Sequence, residues 1–172
     1  DGSKVAGSGL LVVGTDLGSA APAPAGIGAN DVVLPGTHQQ AMGCGGNWDP
    51  ACVDARLTLD EASGLYMGTW KLPKGSYQYK VAIGGSWDVD YGAGGVPKGQ
   101  NVAYTLDEET DVTFFYNPVS HKFFNTATDP IVTLPGNFNA TLGCQPSGDF
   151  GADWNPACLA TLMFPNGDGT YT

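Results

Sequence analysis

The chain repeats itself once, and the repeat decides how its length can be used. Val33-Leu34-Pro35-Gly36 returns as Thr133-Leu134-Pro135-Gly136, and Gly43-Cys44 returns as Gly143-Cys144, both at an offset of 100. Trp48-Asp49-Pro50-Ala51-Cys52 returns as Trp154-Asn155-Pro156-Ala157-Cys158 at an offset of 106, so six residues are inserted between Cys144 and Trp154. Gly64-Leu65-Tyr66 is answered by Gly169-Thr170-Tyr171. Shared punctuation at fixed spacing marks tandem structural units. Nothing in the second copy corresponds to residues 68–126 of the first, so it is expected to lack the strands that would close its own fold. Strands without partners leave backbone donors and acceptors unpaired. The stretch after Pro130 is therefore expected either to be poorly ordered or to lean on the first unit.

Four segments follow. Residues 1–19 carry one strand, over 8–14, and read as the end of a preceding domain; residues 20–30 have the Pro/Ala/Gly composition of a semi-rigid linker. Residues 31–127 form a complete module and residues 128–172 a truncated second copy. With no initiator Met and no signal peptide, the chain is expected to be an internal stretch of a longer polypeptide.

Within the complete module, Gly and Pro punctuate short apolar runs, and no long run has helical periodicity. Strands are predicted over 31–34, 55–59, 65–72, 76–83, 101–106, 112–116 and 121–124. Seven strands at spacings of about ten residues predict an all-β, immunoglobulin-like sandwich. In the run 76–83, Tyr77, Tyr79, Val81 and Ile83 should face one way and Gln78, Lys80 and Ala82 the other. Trp70, in the middle of an apolar strand, is expected in the core.

The formal net charge of −10, with only seven Lys and Arg, leaves no basic stripe to neutralise phosphates, so neither nucleic acid nor an anionic membrane surface is an expected partner. An uncharged polymer is compatible with that field. The four cysteines fall in two local pairs, Cys44 with Cys52 and Cys144 with Cys158. They read as disulfides in an oxidising, extracellular setting. Metal ligation is the alternative, but the spacings are not those of a zinc site and only His38 and His121 are available to join them. Asn166-Gly167-Asp168-Gly169 echoes a calcium loop without its terminal Glu and reads as a turn. No metal or other cofactor is expected.

The stretch from Leu72-Pro73-Lys74-Gly75-Ser76-Tyr77-Gln78-Tyr79-Lys80 to Gly85-Ser86-Trp87-Asp88 and Tyr91-Gly92, together with the Gly-Cys…Trp-Asp-Pro-Ala-Cys loop, resembles a known accessory module. This is the β-sandwich, often in tandem, that precedes the catalytic part of bacterial pullulanases and other amylolytic enzymes. A more distant likeness is to the glycogen-binding modules of AMP-activated kinase β subunits and starch-branching enzymes. The resemblance implies an early-set immunoglobulin-like sandwich, a covalently linked catalytic domain, and α-glucans such as starch, pullulan or glycogen as the partner. It implies Trp87, Lys80 and Trp48 as carbohydrate contacts, with Trp154 as the second-copy candidate.

The chemistry is consistent with that. A glucose ring offers an apolar C–H face rimmed by hydroxyls, so a flat indole with polar groups beside it is a suitable receptor. Trp87 with Lys80 and Asp88, and Trp48 with Asn47 and Asp49, supply that combination, and Tyr91 would either flank the ligand or cap its hairpin. Each residue also has an ordinary reading: Trp87 as a hairpin anchor, Trp48 as a plug at the end of the sandwich, Lys80 as a solvated side chain. Catalysis by the fragment is not expected, because Asp88 with Asp90, or Glu108 with Glu109, would need an enclosing groove. A structural spacer or protein-contacting module without ligand is the competing function.

Overall fold

The computed structural model describes residues 26–172; the strand expected over 8–14 and most of the linker lie outside the described residues. The first module contains strands β1 (Val32–Val33), β2 (Thr58–Asp60), β3 (Leu65–Leu72), β4 (Gly75–Tyr79), β5 (Val81–Ile83), β6 (Val89–Gly92), β7 (Val96–Pro97), β8 (Val102–Leu106), β9 (Thr110–Tyr116) and β10 (Phe123–Asn125), with one helical turn, α1 (Gln39–Met42). Three antiparallel sheets result, in the orders β1-β5-β6-β7, β10-β9-β3-β2 and β4-β8. They enclose one apolar core, and the molecule is all-β.

The spine is the β3–β9 ladder, which runs from Tyr66 opposite Tyr116 to Leu72 opposite Thr110. Period-two alternation sends Val112, Phe114 and Tyr116 inward, where they meet Leu34, Leu72, Tyr79, Val81 and Tyr104. Trp70 packs against that core, its indole edge-on to Phe114 at 5.8 Å and its N–H donating to the Asp54 carbonyl. Gly68 makes room for it: a Cβ there would sit 2.4 Å from the Trp70 ring.

The single strand expected over 76–83 is two strands. At Lys80 the chain changes sheets, its N–H donating to the Pro35 carbonyl at 3.0 Å, so that β4 pairs with β8 and β5 pairs with β1 and β6. The break corrects the predicted alternation beyond that residue. Tyr79 and Val81 are buried as expected, but Ala82 is buried as well. The run 55–59 also begins as a 3-10 turn, Val53–Ala55, before β2.

Phe115 points to the other face of the β3–β9 sheet yet is 1% exposed, because residues of the second copy cover it. Phe164 stands edge-on to Phe124 at 5.4 Å, and Leu159 and Leu162 pack beside it. Lys122 Nζ donates to Asn166 Oδ1 and Thr172 Oγ1 at 2.6 and 2.9 Å. The region after Pro130 thus leans on the first module. It holds one strand pair of its own, β11 (Val132–Thr133) with β12 (Leu162–Met163).

Candidate functional site

The two candidate indoles meet. Trp48 and Trp87 lie with ring centroids 6.4 Å apart and planes inclined at 37°. Trp87 is 39% exposed, so its ring stands at the surface and not between the sheets. Trp48 is half-buried beside it.

The loop bearing Trp48 is held at three points. A disulfide joins Cys44 to Cys52. The buried Gln39 accepts from Asp49 N at 2.8 Å and donates to the Asp49 carbonyl at 2.7 Å, bracing the far side. Trp48 N donates to the Gly36 carbonyl at 3.3 Å. Between these fixings Trp48 adopts a φ of +60°, a left-handed conformation that costs a non-glycine residue about 1 to 3 kcal/mol. The same conformation recurs at Trp154, with φ +57°, next to the second disulfide, Cys144–Cys158. Asn47 is exposed, and its Oδ1 accepts from Gln40 N at 3.1 Å.

Trp87 rides on the β5–β6 turn, which the left-handed Gly84 and Gly85 (φ +74° and +75°) allow to reverse. Underneath it, Asp90 is 4% exposed and is clamped by two ammonium groups, Lys80 Nζ at 2.8 Å and Lys98 Nζ at 2.7 Å. Burial raises the Asp90 carboxyl pKa, but hydrogen bonds from Lys80 and then Lys98, with their charges, outweigh this and hold it below the usual range. Lys98 Nζ also donates to the Trp87 carbonyl, tying the clamp to the indole's backbone.

This corrects the expectation for Lys80, whose side chain is only 16% exposed and whose ammonium is spent on Asp90. It turns inward onto Asp90 instead of facing solvent. Asp88 is exposed, its carboxylate accepting from Ser86 Oγ at 2.9 Å. Tyr91 does not join the indoles. It stacks on His121 at 4.0 Å, and its hydroxyl lies 3.2 Å from His121 Nε2, in a separate cleft with Tyr66 and Tyr116. Sequence reasoning missed Lys98, for which no local signal exists. It also missed Gln39, whose signal was the amide at the matching position of the second copy, Asn139.

The arrangement defines a small β-sandwich module with a braced pair of surface indoles. The family model for the pullulanase X25 domain matches residues 31–123, more than half of the chain, and the chain belongs to that family, a non-catalytic accessory module of pullulanases. An amylopullulanase of Thermoanaerobacterium thermosulfurigenes is 41% identical over 107 residues, which is 61% of this chain and 6% of that protein. One of Thermoanaerobacterium saccharolyticum is 38% identical over 104 residues, 60% of this chain and 8% of that protein. Among solved structures, the pullulanase from Bacillus acidopullulyticus is similar with a TM-score of 0.53 and 33% identity, over 64% of this chain and 13% of that one. The chain thus spans less than a tenth of the curated relatives it matches.

Proposed function

We propose that the first module holds α-glucan chains on the Trp48–Trp87 pair, and that it does so for an amylolytic glycoside hydrolase domain carried on the same polypeptide. The observation that carries this reading is the inclined, surface-facing indole pair, with one ring open to solvent and the other fixed by a disulfide-closed loop. Sugar C–H faces stack on such rings, and two planes set at an angle suit a curved chain better than a flat one. Asp88 and Asn47 border the pair with exposed polar groups, whereas Lys80 contributes by holding Asp90 under the turn. Trp154, 63% exposed, stands at the position of the second copy that matches Trp48.

A single shallow platform binds weakly, and a tethered second site raises the effective concentration. The two disulfides support export of the parent protein to an oxidising compartment. Affinity electrophoresis in amylopectin tests the proposal: the chain should be retarded, and Trp87→Ala should abolish most of the retardation. Retardation that survives the substitution would move the site elsewhere, and mobility equal to that in plain gel would favour a spacer without ligand.

A further inference from the structure

The outer face of β4 and β8 runs on from the indole pair. Ser76 and Gln78 point outward from β4 and are exposed, and Thr105 and Ala103 lie directly opposite them on β8. Ser76 Oγ and Thr105 Oγ1 are 3.1 Å apart, Gln78 Oε1 accepts from Asn101 Nδ2 at 3.0 Å, and Thr37 Oγ1 accepts from Gln78 N at 2.9 Å. Ala103 carries only a methyl group, so the face dips there. The result is a groove of about 320 Å³, one wall of which is Trp48.

We propose that this groove continues the binding path, and that the ligand is a linear α-glucan running from Trp87 across Trp48 onto the β4–β8 face. The inference rests on the indole pair being a sugar platform. The polar side chains in the groove are hydroxyls and an amide, which both donate and accept, as the rim of a sugar does, and Trp48, Tyr77 and Tyr104 add aromatic surface beside them. The lining holds no charged side chain, so an ionic ligand would find no counter-charge and an uncharged polyhydroxy chain loses nothing by entering. Strand-borne groups are already positioned, which lowers the ordering cost of binding.

Calorimetric titration of the whole chain with maltotriose and with maltoheptaose tests this. The unaltered protein should bind maltoheptaose about tenfold more tightly, the size of one or two net hydrogen bonds. Ala103→Tyr fills the groove with a residue that strands favour; it should bring the two affinities to within about twofold of each other. Gln78→Ala should cut the length preference about threefold without adding bulk. A length preference that survives both substitutions, while Trp87→Ala removes binding of both sugars, would overturn the groove and leave the indole reading standing. Failure of both sugars to bind the unaltered chain would overturn both readings.

Discussion

The two copies share a loop but not its surroundings. In each, a disulfide closes the loop, the tryptophan is left-handed, and its N–H donates to a glycine carbonyl, that of Gly36 at 3.3 Å or Gly136 at 2.9 Å. Leu34, His38 and Met42 are 1%, 0% and 8% exposed, whereas the matching Leu134, Phe138 and Leu142 are 52%, 39% and 50% exposed. The loop geometry is therefore local, set by the cysteine pair and a few backbone hydrogen bonds. Burial is not local, because around the first loop it comes from side chains of the later strands, among them Leu72, Tyr79, Tyr104 and Phe114. The Trp48 platform needs both, since Trp87 comes from those later strands.

Matched truncations should split the copies most widely. Leu34→Ala empties space in a closed core and should cost about 2 to 5 kcal/mol, whereas Leu134→Ala should change stability by less than about 0.5 kcal/mol, both read from urea denaturation. Equal losses would mean that the face around Leu134 is covered in solution.

The next contrast is acid sensitivity. His38 is fully buried; its Nε2–H donates to the Leu34 carbonyl at 3.2 Å, leaving Nδ1 to accept from the Tyr104 hydroxyl at 2.8 Å. Burial lowers its pKa from 6.5 to about 4, with the Leu34 hydrogen bond opposing. The unfolded chain then takes up a proton that the folded one refuses, so this contribution is complete above pH 6.5 and is lost as the pH falls towards 4. The loss is on the order of 3 kcal/mol. Phe138 occupies the matching position, so the effect belongs to the first copy alone. Denaturant midpoints that stay flat between about pH 7 and about pH 5 would show that His38 is reached by water.

How far the sequence led differs between backbone and site. Strands β3, β8 and β9 are legible as short apolar runs between turns, and each supplies buried side chains to the core. The break at Lys80 was not, because an unbroken alternation says nothing about a strand leaving one partner for another. Trp48 and Trp87 are 39 residues apart in sequence, and only the resemblance placed them in one site. Lys80 reads as solvent-facing in the sequence because the residue it neutralises, Asp90, lies on a later strand, and pairing of that kind leaves no local pattern. Tyr91 reads either as flanking the ligand or as capping its hairpin, and nothing local points to its stacking partner, His121, which comes from the β9–β10 turn.

The disulfides sharpen the comparison at a smaller scale. Replacing Cys44 and Cys52 by Ser should lower the stability of the first module by about 2 to 3 kcal/mol. Replacing Cys144 and Cys158 opens a longer loop but should shift unfolding of the first module by less than about 0.5 kcal/mol. Scanning calorimetry of the two double mutants checks this, and an equal drop in Tm would mean that the copies unfold as one unit.

The smallest contrast turns on one methylene. Gln39 reaches both the N–H and the carbonyl of Asp49, ten residues away in sequence. Asn139 is shorter; its Oδ1 accepts from Gly136 N, but its buried Nδ2 has no partner. A buried donor left unpaired costs about 1 to 3 kcal/mol, so Gln39→Asn should impose on the first loop the defect that the second already carries. The reciprocal Asn139→Gln should reach the Asn155 backbone and relieve it, with a gain of at most about 1 kcal/mol. Hydrogen exchange reads both: protection of the Asp49 amide should fall with Gln39→Asn, and that of Asn155 should rise with Asn139→Gln. If the Asp49 amide kept its protection after Gln39→Asn, the disulfide alone would be holding the indole loop, and the side-chain brace would not be what the second copy is missing.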